Sequence, residues 1–229
     1  MTALSLEGHA VLVTGASRGI GATIAETLAA HGARVAVHYG RGKAEAEEVA
    51  QKILAAGGPE PVVLGARLEH EDERRRLHRE VVSALGDPLL LVNNAALWDR
   101  NPFDEPDDAL FLSKWRHTLE VNLNAAAHLA LLALPAMRKA RFGRIVMVSS
   151  RAAFRGETEC ADYAVSKAGM VSLARCLARA EGPNGITANS VCPGWVETDR
   201  VAAHLEEHGA AVRAEIPLGR VATTQDVAN

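Results

Sequence analysis

Short apolar runs alternate with segments of helical periodicity along most of this 229-residue chain, and this alternation constrains the fold more than any other feature. The first run, His9–Thr14, leads into a glycine cluster, after which Ile20, Ile24 and Leu28 recur at helical spacing until Gly32. Further strands are predicted at Arg34–Tyr39, Pro61–Ala66, Leu89–Val92, Arg144–Ser149 and Ile186–Cys192, and further helices at Ala44–Ala56, Glu71–Leu85, Ser113–Lys139 and Ala161–Ala180.

Strands this apolar, separated by helices, are typical of a parallel sheet that is covered on both faces. Right-handed crossovers between them predict a doubly wound, Rossmann-type α/β sheet of six strands. No linker or low-complexity segment interrupts the pattern, and 229 residues are enough for one such domain. We therefore predict a single domain over residues 1–229.

The charge balance and the cysteines exclude several classes of function. A net charge of −3 gives no general attraction to nucleic acid or to anionic membranes. We see no apolar stretch of the ~20 residues that a membrane helix needs, and Cys160, Cys176 and Cys192 lack metal-ligand spacing. The sequence predicts a cytoplasmic protein that binds neither nucleic acid nor a membrane, and that has no metal site.

The segment Thr14–Gly21, TGASRGIG, lies between the first strand and the first helix. Backbone N–H groups and the helix dipole can bind a pyrophosphate at this position. Its glycines are spaced more widely than in G-x-G-x-x-G, and a turn needed only for chain geometry is the alternative interpretation.

A second motif places Tyr163 and Lys167 four residues apart on one face of a predicted helix. A neighbouring cation favours phenolate and so suits a tyrosine to acid/base chemistry. Ser150 lies thirteen residues earlier, at the end of the fifth strand, where an open α/β sheet has its ligand crevice. An ordinary surface pair is the alternative for the tyrosine and lysine.

With these motifs the sequence resembles the short-chain dehydrogenase/reductase family, in its single-domain branch of 3-oxoacyl reductases. The family's TGxxxGxG turn is matched residue for residue. The segment Asn93–Ala96 is similar to the family's NNAG, with Ala96 replacing glycine, and Pro193–Thr198 is similar to its PGxxxT. The resemblance runs from His9 to the end of the chain.

The resemblance implies hydride transfer between a nicotinamide and a carbonyl or alcohol. It gives Tyr163 the role of acid/base, Ser150 that of holding the substrate oxygen and Lys167 that of tuning the phenol. It also implies a water relay through Asn122, for which Asn124 is the nearby alternative, as Ser149 is for Ser150. Motifs and resemblance together predict cofactor contacts from Gly15, Ser17, Arg18, Gly19, Ile20, Gly21, Arg41, Arg67, Leu68, Asn93, Ala95, Tyr163, Lys167, Pro193, Gly194, Val196 and Thr198.

The second strand ends without the carboxylate that NAD enzymes use for the ribose 2′-OH. It ends instead in His38-Tyr39-Gly40-Arg41, and Arg18 lies in the glycine turn. Two guanidinium groups suit a 2′-phosphate, so we predict NADP(H) rather than NAD(H). Where the family has an Asp for the adenine amino group, this chain has Arg67, which could stack on adenine, help with the phosphate or weaken binding.

The rest of the chain concerns the substrate. The resemblance makes residues 199–217 a mobile lid. Arg151 and Arg155 suggest a basic rim that would favour an acidic substrate or a thioester that carries a phosphate. His204 and His208 have metal-like spacing but no third ligand, and we interpret them as a solvated helix face.

The chain ends at a helix start, with Thr223 or Thr224 as N-cap and Asp226 in the first turn. Family members continue into a seventh strand and an oligomer contact, so we expect that strand to be missing here and the homo-oligomer, a dimer or tetramer, to be in question. The rival to a carbonyl reductase is a catalytically silent NADP-binding sensor or scaffold on the same fold.

Overall fold

The computed structural model describes residues 5–229, which form one parallel six-stranded sheet with helices on both faces. The strands are β1 Ala10–Val13, β2 Arg34–Tyr39, β3 Val62–Gly65, β4 Leu90–Asn93, β5 Gly143–Val148 and β6 Ile186–Val191. The helices are α1 Gly19–Ala30, α2 Lys43–Ala55, α3 Glu71–Leu85, α4 Asp108–Leu119, α5 Ala125–Ala140, α6 Ala152–Arg155, α7 Ala161–Glu181, α8 Ala202–Ala214 and α9 Thr224–Ala228.

The strand order β3-β2-β1-β4-β5-β6 is that of a doubly wound sheet and confirms the predicted fold class. Strands β2 and β3 lie on one side of β1, and β4, β5 and β6 lie on the other, so the strand order reverses between β1 and β4. This is the switch point where such sheets have their crevice. One core cluster packs α3, α5 and α7 on one face, around Leu77, Leu129 and Met170. A second packs α1 and α2 on the other, around Ile24 and Val49.

The helix predicted at 113–139 is longer than expected and is not regular. It begins at Asp108, because the Asp107 carboxylate accepts a hydrogen bond from the Leu110 N–H at 3.0 Å and caps it. A π-helical turn, Glu120–Asn124, interrupts it before α5 begins. Turns of this kind often occur at functional sites, because they change the direction of a side chain within a continuous helix.

The combined stretch Asp108–Ala140 is long and apolar enough, by length and composition alone, to cross a membrane. Its residues Leu129, Ala133 and Met137 are buried in the core cluster against the sheet. The core helix of an ordinary α/β domain passes the same test, so this stretch is weak evidence for a membrane span.

The segment after β6 forms a long loop whose two ends lie side by side. Val196 forms a parallel bridge with Ala222, where the Glu197 N–H donates to the Ala222 carbonyl at 2.8 Å. Between them lie a 3-10 turn, Asp199–Val201, and α8. The Thr223 hydroxyl and the Asp226 carboxylate then form a capping box at the start of α9, as the sequence predicts for Thr223.

Candidate active site

A cleft of about 770 Å³ opens at the carboxyl ends of the strands, a volume typical of ligand sites. Its wall includes the predicted glycine turn and three of the predicted catalytic residues, Ser150, Tyr163 and Lys167. The predicted residues that line it are Gly15, Ser17, Arg18, Gly19, Ile20, Gly21, Arg41, Arg67, Leu68, Ala95, Ser150, Tyr163, Lys167, Pro193, Gly194, Val196 and Thr198. Asn93 and Asn122 lie outside its wall.

The glycine turn packs closely against itself and against the segment after β4. Gly15 has φ +63°, and a Cβ there would lie 2.8 Å from the Ala95 Cα. At Gly21 a Cβ would meet the Gly15 carbonyl oxygen at 2.3 Å. The turn begins α1, whose first N–H groups have no partners within the helix, so its residues fit a diphosphate.

The side chain that braces this turn is Asn94. Its amide donates to the carbonyls of Thr14 and Gly15, both at 2.9 Å, and its N–H donates to the Thr14 hydroxyl at 2.9 Å. Asn93, by contrast, is buried at the end of β4 and donates to the Met147 sulfur at 3.5 Å. Within the segment Asn93–Ala96, the second residue therefore braces the glycine turn, and the first residue contacts the neighbouring strand inside the sheet.

His38 at the end of β2 is a second brace. Its Nδ1 accepts a hydrogen bond from the Gly15 N–H at 3.0 Å, which requires the tautomer whose Nε2 donates to the Ala66 carbonyl at 3.1 Å. Burial lowers the pKa of His38 to about 4, so the ring is neutral at pH 7. Nothing in the sequence pattern distinguishes this histidine from an ordinary core residue.

The end of the cleft near β2 and β3 is basic. Arg18 and Arg41 are exposed and line it, with no ion pair among residues 5–229. Arg67 also lines it, but its guanidinium contacts the Glu69 carboxylate at 2.6 Å, and Glu69 lines the cleft as well. The residue that replaces the family's acidic position is thus held by a carboxylate two positions on.

Three of the residues predicted to be catalytic lie after β5 and on α7. Ser150 is the second residue after β5, and its Oγ accepts from the Ala152 N–H at 3.1 Å. Ser149 is buried and donates to the Lys167 carbonyl at 2.7 Å, which leaves Ser150 as the serine that faces Tyr163. Lys167 is buried on the next turn of α7, with Nζ 5.6 Å from the centre of the Tyr163 ring.

The electrostatics of this set differ from the expectation that Lys167 lowers the pKa of Tyr163. Burial raises the Tyr163 pKa, and a hydrogen bond with Ser150 and the charge of Arg200 offset this only in part. Burial, with a smaller contribution from Arg200, lowers the pKa of Lys167 to about 7. The lysine is therefore only partly charged at neutral pH, because removal of water outweighs its single strong bond, to the Val148 carbonyl at 2.7 Å.

Asn122 lies in the π-helical turn, and both polar atoms of its side chain form hydrogen bonds within the protein. Its Oδ1 accepts from the Leu97 N–H at 2.7 Å, and its Nδ2 donates to the Leu97 carbonyl and to the Ser166 hydroxyl, both at 3.0 Å. These bonds join the loop after β4 to α7. A water relay at Asn122 stays a prediction. Within residues 5–229, no hydrogen bond joins the Asn122 side chain to Lys167.

The substrate end of the cleft is lined by Trp98, Arg151, Glu157, Trp195 and Arg200. Arg151 lies over the Trp195 ring at 5.1 Å and 3.8 Å from Glu215, which also pairs with Arg155 at 3.3 Å. The two arginines of the expected basic rim thus share one carboxylate, which lies just after α8. Arg155 does not line the cleft.

The remaining sequence features are outside the reacting centre. His204 stacks on Trp195 with ring centres 4.8 Å apart and contacts His208 edge-on at 4.8 Å. Both histidines are exposed on α8, and no group of three or more potential metal ligands occurs in the described part of the chain.

A doubly wound sheet, a glycine turn at its switch point and a serine, tyrosine and lysine in one cleft define a dinucleotide-dependent oxidoreductase. The family model for short chain dehydrogenases matches residues 9–209. The chain belongs to the short-chain dehydrogenase/reductase family, as its motifs predict, and is an oxidoreductase of that family.

Characterised relatives and solved structures agree with this assignment. The chain is 35% identical over 226 residues to the 3-oxoacyl-acyl-carrier-protein reductase FabG of Escherichia coli, covering 99% of this chain and 89% of the relative. FabG of Aquifex aeolicus is also 35% identical, over 234 residues, with the same coverage of both chains. A structure from Beutenbergia cavernae, assigned as an NAD(P)-dependent gluconate 5-dehydrogenase with bound NADP at low occupancy, matches with TM-score 0.88 and 35% identity, covering 98% of this chain and 88% of that one.

Proposed function

We propose that the protein is an NADP(H)-dependent carbonyl reductase that acts on a ketone or 3-oxoacyl group through Tyr163. One observation carries the proposal: Ser150, Tyr163 and Lys167 line the same cleft as the glycine turn. A bound nicotinamide would supply or accept the hydride at its C4 atom. In this proposal Asn122 is a positioning residue, since it joins α7 to the loop after β4.

In the direction of reduction the Ser150 hydroxyl donates to the substrate oxygen, and the Tyr163 phenol gives that oxygen its proton. A phenol whose pKa is raised by burial keeps its proton until negative charge develops on the oxygen beside it. Ser150 stabilises the same developing charge in a site with little water. Lys167 then favours the phenolate that remains, by taking up a proton itself near neutral pH.

The preference for NADP(H) over NAD(H) rests on Arg18 and Arg41, which line the end of the cleft near β2 and β3 and have no ion pair in residues 5–229. Guanidinium groups bind a phosphate dianion in bidentate fashion and find no such partner on a 2′-OH. The neighbour solved with NADP, from Beutenbergia cavernae, is consistent with this preference. The remaining contacts would come from the glycine turn, Leu68, Ala95 and the segment Pro193–Thr198, in which the Thr198 methyl lies 3.3 Å from a Cβ placed on Gly19.

The setting that we propose is a single catalytic domain over residues 1–229, with residues 199–217 as the substrate lid. In this proposal it acts in the cytoplasm on a small-molecule carbonyl or alcohol, as a homodimer or homotetramer. Nucleic acid and membrane lipid are not among the proposed partners, since the net charge of −3 offers them little attraction.

The direct test is oxidation of NADPH, followed at 340 nm, with a panel of ketones and 3-oxoacyl thioesters. Loss of the acid in Tyr163→Phe should lower kcat/KM by about 10²- to 10⁴-fold while the Kd for NADPH stays within about twofold. A wild-type protein that binds NADPH tightly and reduces no carbonyl would instead be the silent sensor or scaffold. A Tyr163→Phe variant as active as an active wild type would contradict the role of Tyr163 as the acid.

A further inference from the structure

Arg200 is a cation at the substrate end of the cleft that the described part of the chain leaves without an acidic partner. It lies in the 3-10 turn Asp199–Val201 that begins the lid segment, and it lines the cleft together with Ser150 and Tyr163. Its one hydrogen bond goes to the Ala96 carbonyl at 3.5 Å, which is at the limit for such a bond. The guanidinium therefore has most of its five donors available.

The other charges in this part of the cleft leave Arg200 as the available cation. Arg151 is 3.8 Å from Glu215 and lies over the Trp195 ring, so its charge is already shared. The carboxylates of Asp99, Glu157 and Asp199 line the cleft but none is within 4.0 Å of the Arg200 guanidinium. An anion that enters this end of the cleft could therefore bind the Arg200 guanidinium without first breaking an ion pair.

The charge of Arg200 acts on the reacting groups themselves. It lowers the pKa of the Tyr163 phenol more than the other nearby charges change it, including that of Glu157, and it also lowers the pKa of Lys167. Because Arg200 lines the same cleft as Ser150 and Tyr163, its guanidinium can contact a substrate whose carbonyl oxygen lies at Tyr163. Binding an anion there would also reduce its repulsion of the Lys167 ammonium.

We propose that Arg200 binds the carboxylate of the substrate, so that the preferred substrates are small oxo acids and hydroxy acids and not neutral ketones or thioesters. This inference rests on the proposed carbonyl reductase function and assigns its substrate class. The reaction is balanced by the cofactor: hydride passes from NADPH to the carbonyl carbon, Tyr163 gives the oxygen its proton, and the carboxylate is unchanged.

Pairs of ketones that differ only in charge give the test. Acetoacetate and levulinate are compared with their methyl esters, and acetoacetyl N-acetylcysteamine serves as the neutral thioester. We expect the wild type to favour each acid over its ester in kcat/KM. Arg200→Met should reduce that ratio about 10- to 100-fold, the range for a hydrogen bond to a charged group, and Arg200→Lys should keep part of it.

The control variant is Arg155→Met, which removes a nearby exposed arginine that does not line the cleft and should leave the acid-to-ester ratio unchanged. A wild type that prefers the esters or the thioester overturns the inference. An equal loss on acids and esters in Arg200→Met overturns it too. The Kd for NADPH, from quenching of tryptophan fluorescence, must also stay within about twofold in Arg200→Met, because a parallel loss would assign Arg200 to the cofactor diphosphate instead.

A binding measurement separates this inference from the proposed function. If no carbonyl compound consumes NADPH, the proposed function fails, and calorimetry with 3-hydroxybutyrate and protein saturated with NADP⁺ then tests Arg200 alone. Binding by the wild type that is lost in Arg200→Met supports the anion site. Absence of binding by the wild type, or equal binding by both proteins, overturns it.

Discussion

The Nδ1 atom of His38 accepts a hydrogen bond from the backbone N–H of Gly15, and this bond joins the end of β2 to the glycine turn. It exists only while the ring is neutral. The folded protein holds the pKa of His38 at about 4, below the ordinary value of 6.5, so acid favours the unfolded chain, which takes up a proton more readily. The contribution of the neutral His38 ring to the free energy of unfolding is fully present above pH 6.5 and is lost as the pH falls toward 4.

We therefore expect the free energy of unfolding to fall by up to about 3 kcal/mol between pH 6.5 and pH 4 because of His38 alone. In His38→Asn, whose side chain carries an acceptor and does not titrate, this part of the pH dependence should disappear. Urea unfolding at several pH values in that range measures it. An identical pH dependence in the two proteins would contradict the assignment of the neutral ring.

Replacing Lys167 should have opposite effects on stability and on activity. Its pKa in the folded protein is about 7 against an ordinary 10.5, so wild-type stability should rise with pH between those values, where the unfolded chain holds the additional proton. Lys167→Met should abolish turnover and stabilise the protein at pH 7 by roughly 1–3 kcal/mol, net of the lost bond to the Val148 carbonyl. Unfolding of both proteins in urea at pH 7 and pH 9.5 measures the pH dependence of the wild type and the stabilisation in the variant. A variant less stable than the wild type at pH 7 would show that the buried amine is not destabilising.

The close contact inside the glycine turn predicts a steric effect at Gly21. A Cβ there would lie 2.3 Å from the Gly15 carbonyl oxygen and 2.4 Å from the Asn94 amide nitrogen, so Gly21→Ala must displace the turn. We expect a loss of about 1–3 kcal/mol in stability and weaker NADPH binding. Gly182→Ala is the matched control, because a Cβ at Gly182 meets nothing within 4 Å, and thermal unfolding of the two variants should separate them clearly.

Cofactor preference should depend on which arginines are already paired. Arg41 has no ion pair in residues 5–229, whereas Arg67 is held by Glu69 at 2.6 Å. Arg41→Ala should raise the Kd for NADPH about tenfold or more and leave the Kd for NADH unchanged, in line with the loss of a charged hydrogen bond. Arg67→Ala should have the smaller effect on NADPH, and fluorescence titrations with both cofactors would show the reverse order if Arg67 were the main phosphate ligand.

The sequence predicts the sheet, the glycine turn and the pair of Tyr163 and Lys167, because these depend on local spacing within one strand or helix. It does not predict the role of Asn94 as the brace of the turn, or that of His38, because those bonds join residues 23 to 80 positions apart. The π-helical turn at Asn122 was also missed, since periodicity over a long apolar helix does not register one inserted residue.

Charge pairing explains the other differences between expectation and structure. The arginines after Ser150 were expected to meet substrate, but Glu215, sixty or more positions later, contacts both of them. The sequence does not predict a role for Arg200, because this residue matches no motif. Its position in the same cleft as Tyr163 follows from the path of the chain after β6, which local patterns do not encode.

The bridge between Val196 and Ala222 has a consequence for how such a chain can diversify. Because the two ends of the intervening loop are fastened side by side, its roughly two dozen residues can be lengthened, shortened or exchanged without any change in the path of the sheet that carries the cofactor. Selection for a new metabolite can therefore act on one exchangeable insert while the redox machinery stays as it is.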